Sequence, residues 1–168
     1  DLARKMLEVI GEEQEFFRIS EKALREITGS KSKILSKSYR NDCLIKAQNE
    51  LPFLESRHIQ LSYFTHPDYP QRLLNAVDAP ILLYSVGETN LNSKHIVSIV
   101  GTRNCTEYGK RMCEKIVSEL AEAVPYVVTV SGLAFRIDIV AHNASLKHHV
   151  HTIGVQACGL NKIYPAEN

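Results

Sequence analysis

The sequence predicts an α/β fold: a parallel sheet built as strand, helix, strand, helix, strand, preceded by a small helical domain. Three observations carry this. Apolar runs rich in Val and Ile recur at "HIVSIV" (95–100), "YVVTV" (126–130) and "HTIGVQA" (151–157). Between them the apolar spacing lengthens to that of a helix. Each run leaves toward a glycine: Gly101, Gly132 and Gly159. Strands alternating with helices in this way indicate βαβ units and a doubly wound sheet, with right-handed crossovers placing all three exits on one edge.

The elements follow in chain order. Residues 1–58 are helical and of mixed charge. In "DLARKMLEVIG", Leu2, Met6, Val9 and Ile10 fall near one face and Gly11 ends the helix. In "SEKALREITGS", Ser20 is the expected N-cap, Ala23, Leu24 and Ile27 face inward, and Gly29 terminates. "NDCLIKAQNELPFLESR" is a third helix. Residues 29–46 hold Lys31, Lys33, Lys37, Arg40 and Lys46 against the single acid Asp42. That is either a solvated helical face or a phosphate-facing patch.

"IQLSYF" (59–64) alternates Ile59, Leu61 and Tyr63 and suits a strand. "THPDYPQRLLNAVDAP" is a connector with a short helix, "ILLYSVG" (81–87) a second strand, and "ETNLNSKH" a polar loop. After the 95–100 strand, a helix capped by Thr106 carries Met112, Ile116, Leu120 and Val124 on one stripe. A second helix, from about Asp138 to His148, carries Ile139, Val140, Ala144 and Leu146.

Composition bounds the function. At 168 residues, 44% hydrophobic and 23% charged, the chain can bury a core and is not globally disordered. A net charge of +1 excludes any inference of nucleic-acid binding from total charge, so a basic site must be local. Cys43, Cys105, Cys113 and Cys158 form no CxxC and no framework, which with the absence of a signal peptide indicates a reducing, cytoplasmic setting. No window approaches 18 apolar residues, so no membrane span is expected. The chain opens at Asp1 rather than Met and stops at "YPAEN"; both ends look cut, as in a fragment.

The chemistry concentrates at the strand exits. "IVGTRNCTEYG" (99–109) is neither G-x-G-x-x-G nor a P-loop. It places Arg103 just past a strand, as a bidentate phosphate ligand or as the partner of Glu107 or Asp138. Lys110 and Arg111 follow on the helix, either beside that site or as solvated surface. In "SGLAFRIDIVAHNASL", the Ser131 hydroxyl and the Gly132 and Leu133 amides suit an anion nest. Asp138 is a ligand-site residue or a simple cap, and His142 a packing residue. A hydrolytic triad of Ser131, Asp138 and His142 is disfavoured: there is no G-x-S-x-G elbow, and all three fall within twelve residues. "KHHVH" (147–151) has the spacing of neither a zincin nor a finger, so no metal is expected.

"DYPQRL", "DAPILLY" followed by "VG", "IVGTRNCTEYG", residues 131–146 and "GLNKIYPAEN" occur in order with consistent gaps. Together they closely resemble the DNA-processing protein DprA (Smf) family, strongly over 59–168 and more loosely before. The resemblance implies an extended Rossmann-like DNA-binding domain over 59–168, truncated at its end. Before it, over 1–58, stands a helical domain of the SAM or helix-hairpin-helix kind. It further implies a non-enzymatic single-stranded DNA-binding protein that protects incoming strands and loads a RecA-type recombinase in natural transformation, needs no cofactor, and dimerises through a later part of the chain. By position, Gly101, Thr102 and Arg103 fall on the family's phosphate pocket. Ser131, Gly132, Leu133 and Asp138 fall on its second segment, and Gly159 and Lys162 on its third; Lys110 and Arg136 complete the expected set. Two positions depart from the family. Arg136 stands where glycine is usual, narrowing the pocket or adding a phosphate contact, and Phe135 stands beside it, stacking on a base or packing inward. The competing expectation is a nucleotide monophosphate-processing enzyme of the phosphoribohydrolase kind using the same edge, although its Pro-Gly-Gly-x-Gly-Thr motif is missing.

Overall fold

The computed structural model describes residues 2–102, 104–134 and 136–160, and the chain divides into two compact units, Asp1–Gln60 and Leu61–Asn168. The first unit contains α1 (Leu2–Ile10), α2 (Glu13–Arg18), α3 (Glu21–Thr28), a 3-10 turn at Lys33–Leu35 and α4 (Lys37–Ser56). Local chemistry explains their ends. Gly11 takes φ 87° and stops α1. Ser20 accepts the Ala23 amide at the start of α3, and Gly29 closes that helix in the left-handed region. Ser36 accepts the Tyr39 amide and starts α4 ahead of the stretch that the sequence marks out.

The core of this unit is Met6, Leu24 and Leu35, flanked by Ile10, Phe16, Ile19 and Ile34. Two expected core residues, Val9 and Ile27, are exposed. The basic stretch 29–46 is also corrected, because Arg40 is only 3% exposed. Its Nη1 donates to the carbonyls of Phe16 and Ile19, and its guanidinium lies 5.4 Å from the Phe16 ring centroid. Arg40 therefore ties off the end of α2, where carbonyls lack intrahelical partners. Four cations remain on the surface of that stretch.

In the second unit, β1 (Gln60–Tyr63) pairs with β2 (Leu82–Ser85). The expected inward face of β1 is inverted: Ser62 is buried and Leu61 exposed. A four-residue strand carries too little apolar area to choose its own face, so its pairing sets it. Tyr69, fully buried, donates its hydroxyl to the Pro80 carbonyl. The following turn, Gln71–Asn75, is held by the Asn92 side chain, which accepts from the Gln71 amide and donates to the Tyr69 carbonyl.

The main sheet is parallel, ordered β3 (Ile96–Ser98), β4 (Val128–Gly132), β5 (His151–Val155). Val128 sits opposite Ile96 on one side and His151 on the other. Strand order follows chain order, so the connecting helices α5 (Glu107–Ala123) and α6 (Ile137–Lys147) share a face and pack together. The Lys147 ammonium meets the Glu114 carboxylate across that contact. The buried positions of α5 are Cys113 and Val117, one residue on from the expected stripe, and Ile116 is exposed. On α6 the buried positions are Asp138, Ala141, His142, Ala144 and Ser145, and Leu146 is exposed. Small and polar side chains let α6 lie close on β4 and β5.

Arg40→Ala removes both donors from the Phe16 and Ile19 carbonyls and the cation from the Phe16 ring. It is expected to destabilise the N-terminal unit by about 2–3 kcal/mol. Chemical denaturation, with amide exchange in 1–60 separated from that in 95–160, measures the loss and its confinement to the first unit.

Candidate functional site

At the carboxyl edge of the main sheet two strand exits and two helix starts meet. The Ile99 amide donates to the Val130 carbonyl at 2.8 Å, and the Ser131 hydroxyl donates to the Ile99 carbonyl at 2.7 Å. These two bonds extend the β3–β4 pairing. The chain then leaves the sheet, and Val100, Gly101 and Thr102 are exposed. A β-carbon at Gly101 would lie 2.7 Å from Cγ2 of Ile137, the first residue of α6. Glycine is what allows the loop to rest there. Ile137 also reaches toward Gly109 on the first turn of α5, its Cδ1 standing 4.0 Å from where a β-carbon would lie.

The exit of β4 is as tight. A β-carbon at Gly132 would lie 2.6 Å from Asp138 Oδ2. That carboxylate is buried and accepts the Ala134 amide at 3.3 Å, so it closes the turn from β4 into α6. The start of α6 has no side-chain cap; its flanking residue Arg136 adopts φ 77°, ψ −110°. For an arginine this is a sparsely populated conformation, costing on the order of 1–3 kcal/mol. The start of α5 is conventional, with Thr106 Oγ1 accepting the Gly109 amide at 3.2 Å. Before it, Thr102 Oγ1 accepts the Asn104 amide at 3.1 Å and shapes the loop.

Cations gather at the first turn of α5. Lys110 Nζ lies 2.6 Å from Glu107 Oε1. That hydrogen bond and charge, assisted by Arg111 and Arg136, hold the Glu107 carboxyl below its ordinary value. Glu107 therefore stays ionised at neutral pH and offsets part of the Lys110 charge. The pair's contribution is present above the ordinary carboxylate range and is lost as pH falls through the lowered value. Arg111 is exposed one turn past Tyr108, and Tyr108 is 65% exposed.

A buried polar chain supports the edge from beneath. His142 Nε2 lies 2.7 Å from the Gly132 carbonyl, which can only accept, so Nε2 donates. In the neutral ring, Nδ1 then accepts from the Thr152 hydroxyl at 2.8 Å. Thr129 Oγ1 donates to Thr152 at 2.9 Å and lies 2.7 Å from Ser145 Oγ, which also reaches the Ala141 carbonyl. One chain of bonds thus links β4, β5 and α6 and fixes the Gly132 carbonyl.

The expected site residues fall as follows. Gly101, Thr102, Gly132, Asp138 and Lys110 come together at this edge, with Arg136 at its rim. The Ser131 side chain is buried with its proton given to Ile99, so its hydroxyl braces the sheet. Leu133 sends its side chain toward Gly154, where a β-carbon would lie 2.7 Å from Leu133 Cδ2. β5 ends at Val155, and Gly159 is exposed beyond it. Arg103, Phe135 and Lys162 lie outside the described residues. Ser131, Asp138 and His142 bond to other groups and assemble no triad. Among the described residues no His, Cys, Asp and Glu cluster could hold a metal, no disulfide joins the cysteines, and no helix is long and apolar enough to cross a membrane. Sequence reasoning overlooked Ile137, the side chain on which the Gly101 loop rests.

Comparisons with known proteins agree on one family. The pattern described as DNA recombination-mediator protein A matches residues 60–168. The chain is 44% identical over 101 residues to DNA processing protein DprA of Bacillus subtilis, covering 60% of this chain and 33% of that one. It is 34% identical over 155 residues to Protein Smf of Synechocystis, covering 87% and 37%. Among solved structures, DNA processing protein A of Streptococcus pneumoniae superposes with a TM-score of 0.66 at 28% identity, over 89% of this chain and 50% of that one. The Helicobacter pylori protein, described for its single-stranded DNA binding mode, gives 0.52 at 35% identity, over 66% and 49%. The chain spans about a third of the length of these curated relatives.

Gly101→Ala forces a methyl group into Ile137 and is expected to destabilise the second unit by about 1–3 kcal/mol. In an Ile137→Ala background the cost of the same change should fall by more than half. A double-mutant cycle from thermal or urea unfolding reads the coupling; additive effects would separate the loop from α6.

Proposed function

The chain belongs to the DNA recombination-mediator protein A family, and on that premise we propose that it binds single-stranded DNA at the carboxyl edge of its parallel sheet. What carries the reading is the match over 60–168, which contains both glycine exits and the cations beside them. A solved relative described as binding single-stranded DNA supports the ligand class. The chemistry is suited to it. Exposed backbone at Gly101 and Thr102 lets a phosphate approach closely, and the starts of α5 and α6 present amides and the positive ends of their dipoles. By sequence position Arg103 is the expected bidentate phosphate ligand, and Lys110 and Arg136 are the further cations assigned to the site. Contacts of this kind read the backbone rather than the base sequence.

The protein acts in this reading as a non-catalytic chaperone in the cytoplasm. It shields incoming single strands and presents them to a RecA-type recombinase during transformation, as a homodimer in its full-length form, and needs no cofactor. Arg136 is assigned to the site because an arginine at φ 77° stands where glycine would relax the backbone, and its charge acts on Glu107 at the start of α5.

Filter-binding titration against oligo-dT and a duplex of equal length tests the proposal. Tight single-strand binding without release of base from AMP supports it; release of base supports the enzyme instead. Arg103→Ala is expected to weaken oligo-dT binding strongly and to reduce the log–log salt slope by about 0.7 for each phosphate no longer neutralised. Arg136→Gly should move two quantities in opposite directions. Relief of the backbone raises unfolding stability by about 1 kcal/mol net of the glycine's entropy, while oligo-dT affinity falls. A loss of stability would reduce Arg136 to a structural residue.

A further inference from the structure

We infer that Tyr108 is a base-stacking platform, on which a nucleobase lies while the neighbouring cations hold the flanking phosphates. The inference rests on the single-strand reading above and names the residue that turns a phosphate site into a polynucleotide site. Within 95–160, two described tyrosines leave their rings in water: Tyr108, 65% exposed, and Tyr126, 93% exposed. They stand at opposite edges of the main sheet. Tyr126 precedes β4 at the amino edge, whereas Tyr108 sits in the first turn of α5 at the carboxyl edge.

The surroundings separate them further. Lys110, Arg111 and Arg136 all act on Glu107, the residue adjacent to Tyr108. Arg111 is three residues beyond Tyr108 and Lys115 seven, so both share its helix face; both are exposed, Lys115 in an i,i+4 pair with Glu119. This aromatic-and-cation stripe starts in the turn of α5 whose Gly109 stands near Ile137, the side chain on which Gly101 rests. The core-facing positions of α5 are Cys113 and Val117, so the ring is not needed for packing. Its backbone is nonetheless held, because Thr106 caps the helix two residues earlier. A water-exposed aromatic on a capped helical turn, with cations on the same face, suits sequence-tolerant stacking, since every base has a π-face.

The test titrates the full chain, Tyr108→Ala, Tyr108→Phe and Tyr126→Ala by fluorescence anisotropy. The probes are labelled oligo-dT and a strand of abasic sites with the same phosphates. Tyr108→Ala should lose roughly ten-fold or more in oligo-dT affinity with an unchanged salt slope, and should bind the abasic strand as the unaltered protein does. Tyr108→Phe and Tyr126→Ala should retain oligo-dT binding to within about two-fold. Unchanged oligo-dT binding by Tyr108→Ala overturns the proposal, as does an equal loss on both probes, since abasic sites offer nothing to stack. Failure of the unaltered chain to bind either probe overturns the single-strand reading and this inference with it, whereas tight binding indifferent to Tyr108 overturns the inference alone.

Discussion

The contact between the Gly101 backbone and the Ile137 side chain governs the carboxyl edge of the main sheet in the second unit. Because Gly101 has no β-carbon, the loop after β3 settles onto the first turn of α6, and Ile137 then reaches the first turn of α5. Gly132 repeats the device under the Asp138 carboxylate. The first approach joins parts of the chain more than thirty residues apart, and the second tightens the turn from β4 into α6. Neither is a hydrogen bond or an ion pair; each is a space left by a missing methyl group. A parallel sheet directs its exits to one edge by topology, but the glycines decide how near they come.

Beneath that edge the unit is held by polarity as much as by apolar burial. Thr129, Ser131, Asp138, His142 and Ser145 are all buried, and each has a partner within hydrogen-bonding distance. Such a network tolerates few alternative arrangements, because each unmatched donor or acceptor there costs about 1–3 kcal/mol. The N-terminal unit is organised differently. Its aliphatic cluster is small, and one buried guanidinium joins helices distant in sequence. Specific geometry in both units thus rests on buried polar contacts beside modest hydrophobic cores, although the Nε of Arg40 is buried without a hydrogen-bond partner.

What the sequence disclosed was mostly local. Ser20, Gly29 and Thr106 act within four residues of themselves, so helix starts and stops were readable. The parallel strands were readable from their apolar runs, and the glycines at their ends from position alone. What a helix buries was not. Both 112/116 and 113/117 are apolar on α5, and only its seat against α6 selects the second pair. On α6 the buried face is made of small and polar residues that no hydropathy pattern marks. Arg40 looked like surface charge because the carbonyls it binds lie 21 and 24 residues earlier. At the candidate site the close approaches at Gly101 and Gly132 were legible as glycines at strand exits. The commitment of the Ser131 hydroxyl to Ile99, 32 residues away, was not.

The bond from His142 to the Gly132 carbonyl has an electronic consequence. A carbonyl oxygen that accepts a strong hydrogen bond draws density through its peptide group, and the amide hydrogen on the far side of that plane becomes more positive. The plane in question joins Gly132 to Leu133, at the end of β4. The Thr129 and Thr152 hydroxyls point the same way along the chain, each sharpening the next. Hydroxyls beneath α6 thereby act, through His142, on the electron distribution of the peptide by which the chain leaves β4.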